Sequence, residues 1–529
     1  MDMLTWKYQK RCTAFCLIAL VFVAVASGPV NVAFADLNIV GSTHGQNYQG
    51  VTNPNAVVGP PPVPAGAAYA VPLALCDPPS SGAPTPNRYT NAANLSDPLQ
   101  PGVVMPANTS IVWVCTLNGV PNFTFRYTGG FSAFAYNAIK QPLTSTGSQF
   151  TSIVPGGTGC TAVAGNPQTD PGTGLKYNSF QSCTQLASPP FNANFATSDT
   201  KGTNFAATMC DQTGACAAPI LDTGVQSFPI TATPFVMIVG NGVQKCNPTD
   251  NSANGKITLT RSQVEAIFSG QVSSWNQLGY CVYPATDTDG DGFPNLDPIG
   301  TVFNASVDQL VVTCSRPITA GTRIIFDSIV MRDAAQLTYG IVAGGTPFVP
   351  FEGDHNYLAP TVMDGLTCVQ GRTTPSPTST ANPNAISYNR ADEASNSTDF
   401  GAGNVGKMNG GYPVPLDGDL PSNYVKPGNI QAPTATERAT SQKDFRCGRY
   451  SFWSDWVGIQ RTSPVDANQA LWTQYVNLIA QNLSLTPAGF FWAEDLRQPG
   501  NPVVSEMSIQ KGPVKGPTQY NPGFNTACR

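Results

Sequence analysis

The sequence predicts an α/β fold, in which strands and short helices alternate along much of the chain. Two observations lead to this class: apolar, β-prone runs recur from residue 36 onward, and segments with helical spacing follow several of them. The third observation concerns the connections. The 529 residues include 50 Gly and 47 Pro, which predicts many turns and long loops rather than a helix bundle.

The first half of the chain supplies three predicted strands and one helix before a longer apolar run. Residues 36–43 form a short strand that ends in a small-residue turn, and Ile111–Val114 and Phe123–Tyr127 are also β-prone. Ser132–Ile139 then has helical spacing. The apolar run Gln226–Val239 is the best candidate for a buried central strand.

The sequence signals for helix ends are clearest in the second half of the chain. Over Thr260–Gly270, Thr260 and Gln263 form a capping-box pair, and the glycine ends the helix. Val311–Thr313 predicts a strand, and a helix follows it at about Thr319. Ser463-Pro464 has the residue types favoured at an N-cap and at the first helical position, so it predicts the start of a final helix.

Residues 1–35 have the pattern of a secretory leader. Three basic residues between positions 7 and 11 precede an apolar stretch at 13–26, and Ala33-Phe34-Ala35 suits cleavage before Asp36. An uncleaved anchor is the alternative, but the apolar run is shorter than the roughly 20 residues of a spanning helix. No cysteine stands at the cleavage point for a lipid anchor. We therefore expect a periplasmic or secreted protein that does not insert into a membrane.

Cysteine usage fits an exported chain. Two of the 14 cysteines lie in the leader, and the even number that remains predicts up to six disulfides. Pairing between sequence neighbours gives Cys76–Cys115, Cys160–Cys183, Cys210–Cys216 and Cys246–Cys281, although sequence alone does not fix connectivity. A metal site built on cysteine is the weaker alternative, because the chain has two histidines and no Cys-x-x-Cys spacing.

Composition excludes some functions. Charged residues make up 11% of the chain and the net charge is −5, against about 25% charged residues in ordinary soluble domains. Scattered charges of both signs argue against nucleic acid as the main partner. The sequence has no Gly-x-Ser-x-Gly motif and too few histidines for a triad or a histidine metal cluster. A hydrolase is therefore the least supported function, and we expect no cofactor for chemistry.

The segment 315–322 lies between a predicted strand and a predicted helix and suits an anion. Gly321 lets the backbone approach closely, Thr322 adds a hydroxyl donor, and Arg316 can donate two hydrogen bonds to an oxyanion. An ordinary strand-to-helix turn is the alternative.

Two neighbouring stretches resemble the phosphate-binding proteins of ABC phosphate transporters. Residues 260–276 are similar to that family's crossover helix, L-x-x-I-F-x-G-x-I-x-x-W. Gln226–Phe235 looks like its strand entry, Q-x-P-x-x-x-x-P-V, with Pro229 one place later than expected. Three segments that lack a sustained pattern have no clear counterpart, and we predict them as disulfide-tied loop insertions: 44–110, 145–190 and 369–445.

The resemblance implies a two-lobed type 2 periplasmic-binding-protein fold with hinge crossovers. Lobe 1 would span residues 36–235, lobe 2 would span 236–385, and 386–529 would return to lobe 1 and add a C-terminal helix. Phosphate, or a related oxyanion, would bind between the lobes, and an ABC permease would be the membrane partner. Four loops in the family's order would supply the ligands, namely Thr43, Ser132, Asp199, Arg316, Ala320, Gly321 and Thr322.

Asp199 has a distinct role in this implied ligand set. A carboxylate can accept the proton of hydrogen phosphate, whereas sulfate would leave it facing an unprotonated oxygen. A turn or cap aspartate is the alternative. Ala320 stands where the family has a serine, and Ile318 where it has an acidic partner for the arginine. The anion and its affinity therefore stay open, and the alternative function is a surface structural or adhesion protein that keeps the fold without tight binding.

Residues 287–298 form a separate acidic motif. Oxygen-bearing side chains at positions 1, 3, 5 and 9, with Gly292 at position 6, follow a calcium-loop pattern. Pro298 at position 12 excludes a complete EF-hand, and a solvated acidic turn is the alternative. We expect a structural Ca²⁺ with the ligands Asp287, Asp289, Asp291, Asn295 and Asp297.

Overall fold

A 14-stranded mixed sheet is the frame of the protein in the computed structural model. All described residues lie within Asp36–Arg529, which forms one unit. The structure describes residues 36–42, 45, 48–49, 71–91, 109–162, 168–169, 176–178, 180–202, 209–210, 216–217, 223–240, 242–245, 257–282, 310–317, 319–331, 341–342, 346–347, 356–359, 365, 368–369, 384–390, 411–419, 450–481, 491–492, 509–510 and 519–520.

The sheet strands follow one another along the whole of this unit. They are β1 Leu37–Ser42, β2 Asn87–Thr90, β3 Ser110–Leu117, β4 Val120–Gly130, β5 Cys160–Ala162, β6 Phe180–Cys183, β7 Phe195–Ser198, β8 Val225–Gly240, β9 Val312–Ser315, β10 Asn356–Leu358, β11 Ala385–Arg390, β12 Gly411–Val414, β13 Trp453–Arg461 and β14 Phe491–Trp492. The spatial order is β10-β9-β11-β8-β13-β7-β1-β4-β3-β2-β6-β5, and β12 and β14 also pair with β8.

Short two-stranded ribbons accompany the sheet. They pair Gln149–Phe150 with Phe191–Asn192, Gln168–Thr169 with Lys176–Tyr177, Met209–Cys210 with Cys216–Ala217, Val243–Lys245 with Tyr280–Val282, Ile341–Val342 with Thr346–Pro347, and Ile509–Gln510 with Gln519–Tyr520.

The α-helices within the described residues are α1 Val71–Leu75, α2 Ser132–Lys140, α3 Arg261–Phe268, α4 Gly321–Ile325 and α5 Gln469–Gln481. Short 3₁₀ turns cover Pro79–Ser81, Thr146–Ser148 and Trp275–Leu278, and a π-helical turn, Phe326–Val330, follows α4.

β8 is the element that joins the two halves of the sheet. Its first part pairs antiparallel with β13, from Val225 to Pro234, and its last part pairs with β11, from Phe235 to Val239. The run Ile230–Gly240 is buried without interruption, as expected for a strand covered on both faces. The predicted central strand is confirmed.

Each half contains a set of parallel strands. In the first half β1 runs parallel to both β4 and β7, and in the second half β9 runs parallel to both β10 and β11. Carboxyl ends of parallel strands meet at one edge of a sheet, which is where α/β proteins place their ligands.

Two of the apolar core clusters in the described part of the chain pack helices against the sheet. One packs α2 against β1, β7 and β13, and the other packs α3, β9 and β11 around the last part of β8. Helix α4 contributes to both, because Ile324 lies in the first cluster and Ile325 in the second. The start of α4 is therefore held where the two halves meet.

The capping box predicted at α3 is present. The hydroxyl of Thr260 accepts a hydrogen bond from the backbone N–H of Gln263 (3.2 Å), and the Gln263 side chain accepts one from the N–H of Thr260 (2.8 Å). Gly270 has a φ of 76°, a left-handed backbone conformation that is unfavourable for residues with a side chain. The predicted start and stop of this helix are confirmed.

The predicted starts of two other helices have different outcomes. Helix α4, predicted from about Thr319, begins at Gly321 with Ala320 as its N-cap, after a turn in which the N–H of Ala320 bonds to the carbonyl of Pro317 (2.9 Å). Helix α5 begins at Gln469 rather than after Ser463-Pro464. A turn in which the Asp466 carboxylate accepts from the N–H of Asn468 (2.8 Å) comes between that dipeptide and the helix.

The segments predicted as irregular insertions contribute strands to the sheet, so that prediction is wrong in their described parts. Strand β2 lies within 44–110, β5 and β6 lie within 145–190, and β11 and β12 lie within 369–445. Strands of three to six residues carry too little period to be recognised, and their pairing partners are distant in sequence. Strands β11 and β12 both pair with the last part of β8, and the lobe boundary at 385/386 stays a prediction.

Disulfides confirm part of the predicted connectivity. Cys76–Cys115 and Cys160–Cys183 are bonded as predicted, and the structure adds Cys314–Cys368. Cys210 and Cys216 are opposite each other in a two-stranded ribbon. Cys281 is disulfide-bonded, but its predicted partner Cys246 lies outside the described residues.

No helix in the described part of the chain combines the length and apolar character needed to cross a bilayer.

Candidate functional site

The carboxyl ends of β1, β4 and β7 bring distant residues together. Gly41 in β1 is opposite Gly129 in β4 and Thr197 in β7. Helix α2 follows β4 after a single residue and begins with Ser132, while Asp199 comes directly after β7. Parallel pairing alone therefore places Ser132 and Asp199 at the same edge of the sheet.

Ser132 and Asp199 are in direct contact. The backbone N–H of Asp199 donates to the Ser132 hydroxyl oxygen (3.1 Å), and that hydroxyl is 3.4 Å from Asp199 Oδ2, to which it donates. Ser132 is fully buried and Asp199 is 6% exposed. The serine thus fixes the orientation of a buried carboxylate.

The start of α4 packs against this pair. A Cβ placed on Gly321 would lie 2.4 Å from Ser132 Oγ and 2.9 Å from Asp199 Oδ2, so only glycine fits without a shift. The backbone N–H of Ala133 also donates to the carbonyl of Thr319 (3.3 Å). Three residues predicted from separate loops, Ser132, Asp199 and Gly321, are therefore brought together.

The other predicted residues of this loop flank the contact. Ala320 is the N-cap of α4 and makes no side-chain capping bond, while Thr322 follows Gly321 in the first turn and is 3% exposed. Arg316 is also buried, and its guanidinium donates to the carbonyl of Ala359 after β10 (3.0 Å). Thr43 lies outside the described residues.

A buried pair of one arginine and one aspartic acid supports the backbone of this loop. Arg323 donates to Asp327 Oδ2 (2.7 Å) and to the carbonyl of Arg316 (3.2 Å). Burial raises the pKa of Asp327 to about 7, and the neighbouring Arg323 opposes that rise. This pair was not identified from the sequence, where the i, i+4 spacing of Arg323 and Asp327 was the available signal.

Arg390 is the charged residue that sequence reasoning missed at this site. It ends β11, and its Nη1 lies 4.0 Å from Asp199 Oδ1; the two side chains are 3% and 8% exposed. The available signal was an arginine that closes a short β-prone run, Ala385–Arg390, within a segment otherwise poor in pattern.

Tyr127 in β4 links the ends of β1 and β7. Its hydroxyl donates to the carbonyl of Ser42 (2.5 Å) and is 2.7 Å from the Thr197 hydroxyl, which in turn donates to it. Burial raises the pKa of Tyr127 well above its usual value of 10; Asp199 adds to the rise and Arg390 opposes it. The phenol is therefore a neutral donor within electrostatic reach of both charged groups.

The predicted calcium ligands, Asp287, Asp289, Asp291, Asn295 and Asp297, lie outside the described residues. Within the part of the chain that the structure describes, no group of three or more His, Cys, Asp or Glu side chains is placed to hold a metal ion.

The fold and the site together define an α/β protein with a buried polar cluster where two sets of parallel strands end. The cluster combines a hydroxyl, a carboxylate and a guanidinium within a few ångströms. Hydroxyl and guanidinium groups donate hydrogen bonds, and an ionised carboxylate only accepts them. This set can hold a small oxyanion that still carries a proton.

Comparison with known proteins finds similarity among solved structures. One is a putative phosphate ABC transporter substrate-binding protein with bound phosphate from Clostridium perfringens, with 13% identity, 54% of this chain and 81% of that chain covered, and a TM-score of 0.29. Another is an ABC-type phosphate transport receptor from Vibrio cholerae (13% identity, 54% and 74% covered, TM-score 0.27). A third is PstS from Borrelia burgdorferi (9% identity, 56% and 78% covered, TM-score 0.28).

No family model and no curated protein matches the sequence. The three structures share 9–13% identity with the chain and cover about half of its length. At TM-scores below 0.3 this likeness assigns no ligand.

Proposed function

We propose that the protein is an exported solute-binding protein that holds phosphate, or a related tetrahedral oxyanion, at the cluster formed by Ser132, Asp199 and Gly321. One observation carries the proposal. These residues were predicted as ligands from three loops far apart in sequence, and they lie in contact with one another. Contacts between three such loops are not expected from their local sequence.

The chemistry of the cluster suits hydrogen phosphate. The single O–H of Ser132, which donates to Asp199 in this structure, can turn to donate to one phosphate oxygen instead. Asp199 can accept the proton that hydrogen phosphate carries and sulfate lacks. Both side chains are buried, and burial strengthens these interactions because little water competes for them.

The arrangement of the two halves supports a two-lobed binding protein. Two apolar clusters are joined through β8, and the site lies where the strand ends of both halves meet. We propose that these halves are the lobes that enclose the anion, and that an ABC permease receives it. Cleavage of the predicted leader would place the mature protein in the periplasm or outside the cell, where it would act as a non-enzymatic receptor.

Equilibrium binding of radiolabelled phosphate to the purified, oxidised protein tests the proposal. We expect saturable binding that excess sulfate displaces poorly. Asp199→Asn should lower the ratio of phosphate affinity to sulfate affinity by about tenfold, because a neutral amide no longer rejects an unprotonated oxygen. Asp417→Asn is the control. It also removes one carboxylate, but Asp417 is about half exposed and pairs with Arg261.

Two outcomes contradict the proposal at different levels. If the folded wild type shows no saturable phosphate binding, the alternative of a surface protein that keeps the fold without tight binding is favoured. If it binds but Asp199→Asn keeps the wild-type selectivity, Asp199 is not part of the site.

A further inference from the structure

Arg390 lies at the site, but the phosphate ligands of the proposed function are Ser132, Asp199 and Gly321. We propose that its guanidinium is a second, specificity-determining group of the site, which allows an oxyanion oxygen without a proton to lie beside Asp199. The site would then accept doubly charged tetrahedral anions such as sulfate more readily than a carboxylate alone permits. This inference rests on the proposed function, because it concerns the same site.

The spacing of the two charged groups carries the inference. Nη1 of Arg390 and Oδ1 of Asp199 are 4.0 Å apart, which is longer than a hydrogen bond of about 2.9 Å. A single oxygen atom about 2.9 Å from the guanidinium nitrogen and about 2.6 Å from the carboxylate oxygen bridges such a gap at an angle near 90°. One oxygen of a bound anion can therefore accept from Arg390 and donate its proton to Asp199.

The same geometry weakens the rejection of sulfate. An unprotonated oxygen in the bridging position is repelled by Asp199 but attracted by Arg390 at a comparable distance. Because both side chains are almost completely buried, at 3% and 8% exposure, solvent screens neither interaction strongly. The arginine thus sets how strongly the carboxylate discriminates.

The position of Arg390 in the fold makes this role specific to the assembled site. Arg390 is paired with Phe235 in β8 at the end of the second half, whereas Asp199 follows β7 in the first half. An anion that contacts both residues is bound by both halves of the protein at once. Loss of Arg390 should therefore weaken binding as well as change selectivity.

The test is phosphate and sulfate titration of the full protein and of Arg390→Gln. We expect the variant to bind phosphate roughly tenfold more weakly and sulfate roughly 100-fold more weakly, so that the phosphate-to-sulfate ratio rises by about tenfold. Asp199→Asn moves the same ratio in the opposite direction, which makes the two roles separable.

Controls cover general charge and folding. Lys201→Gln removes a positive charge two residues from Asp199, at a pair with Asp455 (3.3 Å), and should leave the ratio unchanged. If Arg390→Gln does not fold, Arg390→Lys replaces it. The lysine keeps the charge without the planar, two-pronged donor, and it should weaken the binding of both anions by several-fold.

The outcomes separate this inference from the proposed function. If the wild type binds neither phosphate nor sulfate, both the inference and the proposed function are contradicted. If the wild type binds phosphate and neither Arg390 variant changes affinity or ratio, the inference is overturned and the proposed function stands. An equal change in Lys201→Gln overturns it as well, because the effect would then be one of general charge.

Discussion

Gly321 offers the sharpest test of how the site is built. A Cβ added there would lie 2.4 Å from Ser132 Oγ, 2.8 Å from Asp199 Cβ and 2.9 Å from Asp199 Oδ2. Contacts of 3.4 Å and above are ordinary for a Cβ, so the methyl group of Gly321→Ala intrudes by about 1 Å at the closest atom. Something in the site must move.

The neighbours differ in how far they can move. The Ser132 hydroxyl can rotate away, but it then loses its two hydrogen bonds with Asp199, each of which contributes about 0.5–1.5 kcal/mol. The Cβ of Asp199 cannot move without the end of β7. Overpacking of this kind costs about 1–3 kcal/mol, so we expect Gly321→Ala to lower the free energy of unfolding by about 2–4 kcal/mol.

Urea unfolding and phosphate titration of the same preparations measure both effects. Because Ser132 and Asp199 are displaced together, phosphate affinity should fall by about tenfold or more. Gly130→Ala is the matched control, since its Cβ would meet its nearest neighbours at 3.5 and 3.7 Å. Wild-type stability and affinity in Gly321→Ala would refute the close contact on which the site depends.

Two further predictions concern protonation and metal. Burial raises the pKa of Asp327 from 3.8 to about 7, so between these values the native state keeps a proton that the unfolded chain has lost. The free energy of unfolding should then fall by ~1.4 kcal/mol per pH unit as pH rises from 4 to 7. Asp327→Asn should flatten that slope in urea titrations, and an unchanged slope would contradict the assignment. For the loop 287–298, we expect Ca²⁺ to raise the melting temperature of the protein and a chelator to lower it. A melting temperature that changes with neither would contradict the predicted calcium site.

Local sequence was sufficient for elements whose signals are local. The capping box of α3 uses side chains three residues apart, and the buried run of β8 lies within one continuous segment. Ser132, Asp199 and Gly321 were proposed because short motifs around them resemble those of a known family. Such signals can be recognised without knowing which other segments pack against them.

Strand pairing between segments far apart in the sequence could not be predicted from local patterns. Strand β11 has six residues within a stretch that lacks a pattern, and its assignment to the sheet depends on hydrogen bonds to β8 and β9. The start of α5 differs from the prediction because a turn at Asp466 comes between Ser463-Pro464 and the helix.

The sequence by itself determined the α/β class and the central strand, because each depends on residues that are close along the chain, and its resemblance to a known family indicated three residues of the candidate site. Only the tertiary structure decided that Arg390 lies beside Asp199. The physical reason is that this contact depends on two strands from opposite halves ending at the same place. Charge balance at the site is therefore a property of the assembled fold rather than of any one motif.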